Sequence, residues 1–133
     1  MKRHNKFWII PFLLVLAVTA SACSGVTRTE TREVSGFNAV SVSSFGELRI
    51  RQGEVESLTI EAPSDYLRYL ETSVVNGTLN ISTRRGFVGA PVRRVVYTLT
   101  VKDLKDISFS GAGTVKVVGE LKSDDLRLNL SGA

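Results

Sequence analysis

The chain has 133 residues, with 17 Lys and Arg against 13 Asp and Glu, a formal charge of +4, one cysteine and one histidine. Lys2, Arg3 and Lys6 supply three of the positive charges, so residues 23–133 hold 14 cations against 13 anions and are nearly neutral. That balance gives no general attraction for nucleic acid or anionic lipid, and a single cysteine excludes an internal disulfide.

The first element is a secretory signal over residues 1–22. Lys2, Arg3 and Lys6 form a positive start, an apolar run extends from Phe7 to Val18 broken only by Pro11, and small residues lead into Cys23. The run is shorter than the roughly 20 apolar residues that a spanning helix needs. Ala20-Ser21-Ala22 suits ordinary signal peptidase, which would release a soluble protein. The same residues resemble a lipobox, with Ala20 in place of the usual leucine. Cys23 has no partner thiol, and an unpaired cysteine suits an oxidising envelope poorly. Its place at the cut therefore favours lipidation, with the lipid anchoring the chain to a membrane. Ser24 rather than Asp then favours the outer membrane if the host is Gram-negative.

Residues 23–33 are predicted to be the lipidated N-terminus and a polar tether, and residues 34–133 one domain. From Val34 onward the apolar residues alternate, as strands require. The triplets are Val40-Ser41-Val42, Leu48-Arg49-Ile50, Leu58-Thr59-Ile60, Leu67-Arg68-Tyr69, Leu79-Asn80-Ile81, Leu99-Thr100-Val101, Ile107-Ser108-Phe109, Val115-Lys116-Val117 and Leu126-Arg127-Leu128. Only 64–70 offers a helical alternative, at most a single turn. Asn76-Gly77-Thr78 matches a glycosylation sequon but reads better as an Asn-Gly hairpin turn.

Strands at this spacing suit an antiparallel sandwich or a coil of two short strands per turn. The closing residues favour the coil, because Asp106-Ile107-Ser108-Phe109-Ser110-Gly111-Ala112 returns 21 positions later as Arg127-Leu128-Asn129-Leu130-Ser131-Gly132-Ala133. A fixed period of this size signals turns that stack on their neighbours. The expected fold is all-β: a two-sheet, solenoid-like β-helix of short strands with Ser-Gly-Ala-Gly turns. The last strand would lack a covering coil, so the chain is expected to be the first part of a longer protein.

Four features together resemble the bacterial family called "putative auto-transporter adhesin, head GIN domain". They are the opening Arg32–Val40, the pair Leu48–Gly53 with Leu58–Ala62, the middle Thr72–Ile81, and Leu104–Gly113 with its partial copy. The resemblance implies a two-sheet β-helix and adhesion as a role, and it brings no catalytic residues.

The residues themselves offer little catalytic chemistry. His4 lies in the signal, so Ser–His and Cys–His pairs and histidine metal sites are missing from 23–133. The carboxylate pairs Glu54/Glu56, Asp103/Asp106 and Asp124/Asp125 read as solvated turns. A loop at 84–94 groups Arg84, Arg85, Arg93 and Arg94 around an exposed-looking Phe87, and such forks suit an anionic glycan or lipid. Tyr66, Tyr69 and Phe87 could stack on sugars, whereas Phe37, Phe45 and Phe109 fit the core better.

The expected function is a lipid-anchored, non-enzymatic envelope module for adhesion or surface interaction. Its partners would be the membrane and a glycan or surface protein; no cofactor, metal or nucleic acid is expected. The alternatives are a periplasmic sensor or accessory lipoprotein and, less favoured, a polysaccharide-active β-helix enzyme.

Overall fold

In a computed structural model, residues 26–87 and 94–132 are described. They form ten strands and one helical turn: β1 Thr27–Arg32, β2 Ala39–Ser43, β3 Gly46–Gln52, β4 Ser57–Pro63, α1 Ser64–Leu67, β5 Leu70–Val75, β6 Thr78–Thr83, β7 Val96–Val101, β8 Asp106–Phe109, β9 Gly113–Val117 and β10 Arg127–Leu130. The strands make two five-stranded sheets, ordered β1-β4-β7-β3-β9 and β10-β8-β2-β6-β5.

Alternation places the core. Leu48 and Ile50 of β3, Leu58 and Ile60 of β4, and Leu99 of β7 point in from one sheet, and all are fully buried. Val42 of β2, with Leu79 and Ile81 of β6, meets them from the other. Each such side chain contributes about 1.5–3 kcal/mol on burial. The intervening polar residues, such as Arg49, Thr98, Ser41 and Asn80, fall on the outer faces, as the two-residue period dictates.

Pairing is mixed. β2 runs parallel to both β6 and β8, and β3 runs parallel to both β7 and β9, with Val40 opposite Leu79 on one side and Ile107 on the other. β10 runs parallel to β8, with Leu128 opposite Ile107, so the 21-residue repeat is an in-register stack. β1, β4 and β5 pair antiparallel with their neighbours. Turns therefore do not simply stack on the preceding one. The β2–β3 pair is central, flanked by β6–β7 and by β8–β9, which covers both of its edges.

Three local expectations are corrected or refined. Residues 27–32 are strand rather than tether: threonine-rich β1 lies antiparallel on β4. The Arg32 guanidinium turns inward, donating to Leu70 O at 2.7 Å and Leu67 O at 3.2 Å. Leu67-Arg68-Tyr69 is not a strand, because Leu67 closes α1, and the strand instead begins at Leu70. Asn76 and Gly77 both have positive φ (50° and 75°), the geometry of the expected hairpin turn between β5 and β6.

Glycine at the Ser-Gly-Ala-Gly turn answers a steric demand. A Cβ at Gly111 would overlap the Ser44 carbonyl, and one at Gly113 the Gly46 carbonyl. Only glycine lets the β8–β9 turn sit directly on the β2–β3 turn.

Strand directions sort the loops into two ends. The β2–β3, β6–β7 and β8–β9 turns, α1 and the start of β1 lie at one end. The β1–β2, β3–β4, β5–β6, β7–β8 and β9–β10 loops lie at the other.

Candidate functional site

At the first end, Arg84 and Arg85 follow β6, Arg94 precedes β7 and Arg68 follows α1. Arg93 and Cys23 lie outside the described residues. Arg85 and Arg94 are exposed. Arg84 pairs with Glu71 (2.8 Å) and Arg68 with Asp65 (3.1 Å), both at the surface. The Arg84 backbone amide donates to Tyr69 O at 2.7 Å and so fixes Arg84 beside the α1–β5 turn. The Val95 carbonyl, accepting from Glu47 N at 2.9 Å, fixes Arg94 beside the start of β3. The arginines separated by the 84–94 loop are thus held at one end, joined by Arg68, which the sequence did not group with them.

Beneath them sits an aromatic stack. Phe45 and Tyr66 centroids are 4.9 Å apart, while Tyr66–Phe87 and Tyr69–Phe87 are each 5.0 Å apart. Phe87 is half-buried rather than projecting, because two tyrosine rings hold it. Tyr66 is buried and so is closed to sugar stacking. Phe37 and Phe109 are buried in the core, and Phe45 packs partly buried against it.

Deeper still is a buried polar cluster. Ser44 Oγ lies 2.7 Å from the Tyr66 hydroxyl and 3.0 Å from Thr83 Oγ1, and the Tyr66 hydroxyl lies 2.7 Å from Thr83. The Tyr97 hydroxyl donates to Ser44 Oγ at 3.0 Å and Phe45 O at 3.2 Å. Burial holds the Tyr97 hydroxyl far less acidic than a free tyrosine. The cluster is a mutual satisfaction of hydroxyls at the turn end of the core, not an activated nucleophile.

The other end gathers carboxylates. Asp103, Asp106, Asp124 and Asp125, with Lys105, Ser123 and Arg127, line an open groove of about 500 Å³. The repeat that stacks Arg127 on Asp106 brings together two aspartate pairs that the sequence presents separately. Ser123 Oγ donates to Leu104 O at 2.7 Å and ties the two loops. Glu54 and Glu56 are in the β3–β4 turn, but only Glu54 is exposed as expected; Glu56 is half-buried, its Oε1 accepting from Gly36 N at 3.2 Å and its Oε2 buried without a hydrogen-bond partner among the described residues. On the outer face of β3, the Arg49 guanidinium donates to Glu47 and holds its carboxyl below the usual range. Among the described residues, no group of three or more His, Cys, Asp or Glu is arranged to hold a metal ion. Nor is any described helix long and apolar enough to cross a membrane.

A third exposed feature is the free edge of β10. Leu128 and Leu130 are 55% and 60% exposed.

Comparison with known proteins fits this architecture. The family model described as "Putative auto-transporter adhesin, head GIN domain" matches residues 36–133. A crystal structure of a "putative adhesin" from Bacteroides fragilis superposes with a TM-score of 0.77 at 24% identity, covering 82% of this chain and 52% of that one. One from Parabacteroides merdae gives 0.67 at 22% identity, over 80% and 44%. A "putative lipid binding protein" from Parabacteroides distasonis gives 0.69 at 21%, over 80% and 46%. At these identities the structures share the fold, and this chain spans about half their length. No curated protein matches.

Proposed function

This chain belongs to the family described as "Putative auto-transporter adhesin, head GIN domain", and from that premise we propose that it is a non-enzymatic module of the cell envelope, anchored by lipid on Cys23. It presents loops and sheet faces to a glycan or a surface protein. The observation that carries this reading is the family match over 36–133, nearly all of the chain beyond the signal. Three features support it: the signal ending at a solitary cysteine, a buried hydroxyl cluster closed to substrate, and charged groups gathered at exposed ends. The fold supplies a rigid two-sheet body, and its stacked coils read best as a β-helix.

The test is in two parts. Metabolic acyl labelling that is lost in Cys23→Ala establishes the anchor. A glycan and matrix-protein array probed with the processed chain establishes the interaction. Silence across the array would count against an adhesive role, and turnover of a polysaccharide would replace it with an enzymatic one.

One observation favours a second reading, a ligand-binding accessory lipoprotein. It is the groove between Asp103 and Arg127, whose mixed charges suit a polar or cationic ligand. Recovery of a single stoichiometric partner from envelope extracts would favour that reading.

A further inference from the structure

The near-neutral charge of residues 23–133 conceals a sharp polarity. At the end that holds the β6–β7 loop, the charged loop residues among those described are Arg68, Arg84, Arg85 and Arg94 against Asp65, with Glu71 of β5 paired to Arg84. At the other end, the loops hold seven acids (Glu33, Glu54, Glu56, Asp103, Glu120, Asp124 and Asp125) against Lys102, Lys105 and Lys122. The topology makes this separation, because every strand carries its flanking loops to fixed ends.

The chain also enters the fold at the arginine end. Thr27 opposes Pro63, and the Val26 carbonyl accepts from Ser64 N at 2.9 Å, beside α1. With β1 absorbing residues 27–32, only Ser24 and Gly25 separate Cys23 from Val26. Whatever their conformation, the three steps along the backbone from Cys23 to Val26 span at most about 11 Å. That distance is close to the range of about 8 Å over which a charged surface acts at physiological salt.

We propose that the end bearing Arg68, Arg84, Arg85 and Arg94 is a membrane-docking surface for anionic phospholipid headgroups, holding the module upright with its acidic end facing away. The orientation rests on the Cys23 anchor proposed above; the lipid contact does not. Arg85 and Arg94 are the main contacts, since Arg68 and Arg84 share their charge with Asp65 and Glu71. Guanidinium forks suit phosphate oxygens. The half-buried Tyr69–Phe87 pair lies at the same end, an amphipathic aromatic group of the kind that favours the headgroup layer. The acidic end would be repelled by the same surface, so both ends favour one orientation.

The test uses the processed chain (23–133) with Cys23→Ser, so that binding does not depend on acylation. Vesicles of phosphatidylcholine with phosphatidylglycerol should bind it, and vesicles of phosphatidylcholine alone should not. Each basic residue near an anionic surface is worth about 1 kcal/mol, so Arg85→Ser with Arg94→Ser should weaken binding on the order of thirtyfold. A control replacing Lys102, Lys105 and Lys122 with Ser removes more charge from the acidic end and should bind at least as well as the parent. All three should melt alike, because the substituted side chains are exposed. Binding within twofold of the parent for the arginine variant, or an equal loss in the lysine control, would overturn the proposal. Acyl labelling decides the anchor separately. A chain that is not acylated but binds through Arg85 and Arg94 retains the surface and loses the orientation.

Discussion

Leu128 lies in parallel register on Ile107, in the same alternation of polar and apolar residues, yet Ile107 is 1% exposed and Leu128 is 55% exposed. Two equivalent positions of one repeat thus have opposite energetic weight. The difference is what lies beyond them: β10 covers β8, and β10 itself forms the edge.

Truncating the pair should expose that difference. Ile107→Ala removes packed atoms from the core and is expected to cost about 2–4 kcal/mol, whereas Leu128→Ala should cost less than about 1 kcal/mol. Urea midpoints of the two variants, with unchanged slopes, would measure it; equal losses would place a cover over β10.

Gly111→Ala should be destabilising well beyond a surface change, by more than about 2 kcal/mol, because its Cβ would strike the Ser44 backbone carbonyl rather than a flexible side chain. The β8–β9 turn would have to lift off the β2–β3 turn. A melting temperature within a degree of the parent would contradict this stacking.

Arg32 joins the two sheets through its bonds to Leu67 O and Leu70 O. Arg32→Ala leaves those carbonyls to other partners and should cost about 1.5–3 kcal/mol. Amide exchange should quicken first in β1 and β5. Arg32→Lys should recover only part of the loss, since an ammonium lacks the fork.

Tyr97 gives the fold an alkaline limit. Its hydroxyl ionises in the unfolded chain near pH 10 but is held well above that in the folded one. The folded state therefore retains a proton that the unfolded state has lost, and stability falls as pH rises above about 10. Tyr97→Phe removes this dependence at a cost of about 1 kcal/mol at neutral pH. The stability difference between parent and variant, followed from pH 8 to 11, should shrink toward alkaline pH. A constant difference would mean that the hydroxyl is not held in its neutral form.

Local signals read well where side-chain period and turn chemistry act over a few residues. Eight of the nine alternating triplets lie in or overlap strands, and the Asn76-Gly77 hairpin and the stacked repeat stand as read. β1 escaped because Thr-Arg-Thr-Glu-Thr-Arg has no apolar residue. It is held by edge pairing to β4 and by the bonds of its own Arg32 to Leu67 O and Leu70 O, partners distant in sequence. The candidate arginines were legible as a cluster in the chain, but Arg68 was not, since α1 and β5 bring it there. Phe87 looked exposed because nothing near it in sequence reveals Tyr66 and Tyr69 as its packing partners.

The sequence alone determined the all-β character, the family, and the near-neutral charge of residues 23–133, since each depends on composition or short-range order. Only the tertiary structure decided which strand pair lies in the middle and that residues 27–32 form an edge strand. The same holds for the sorting of one sum of charges into an arginine end and an acidic end. Those outcomes depend on strand direction and pairing between segments as far apart as Val40 and Ile107. Long-range pairing is chosen by how much apolar edge the whole assembly can cover, a quantity that no local stretch of sequence contains.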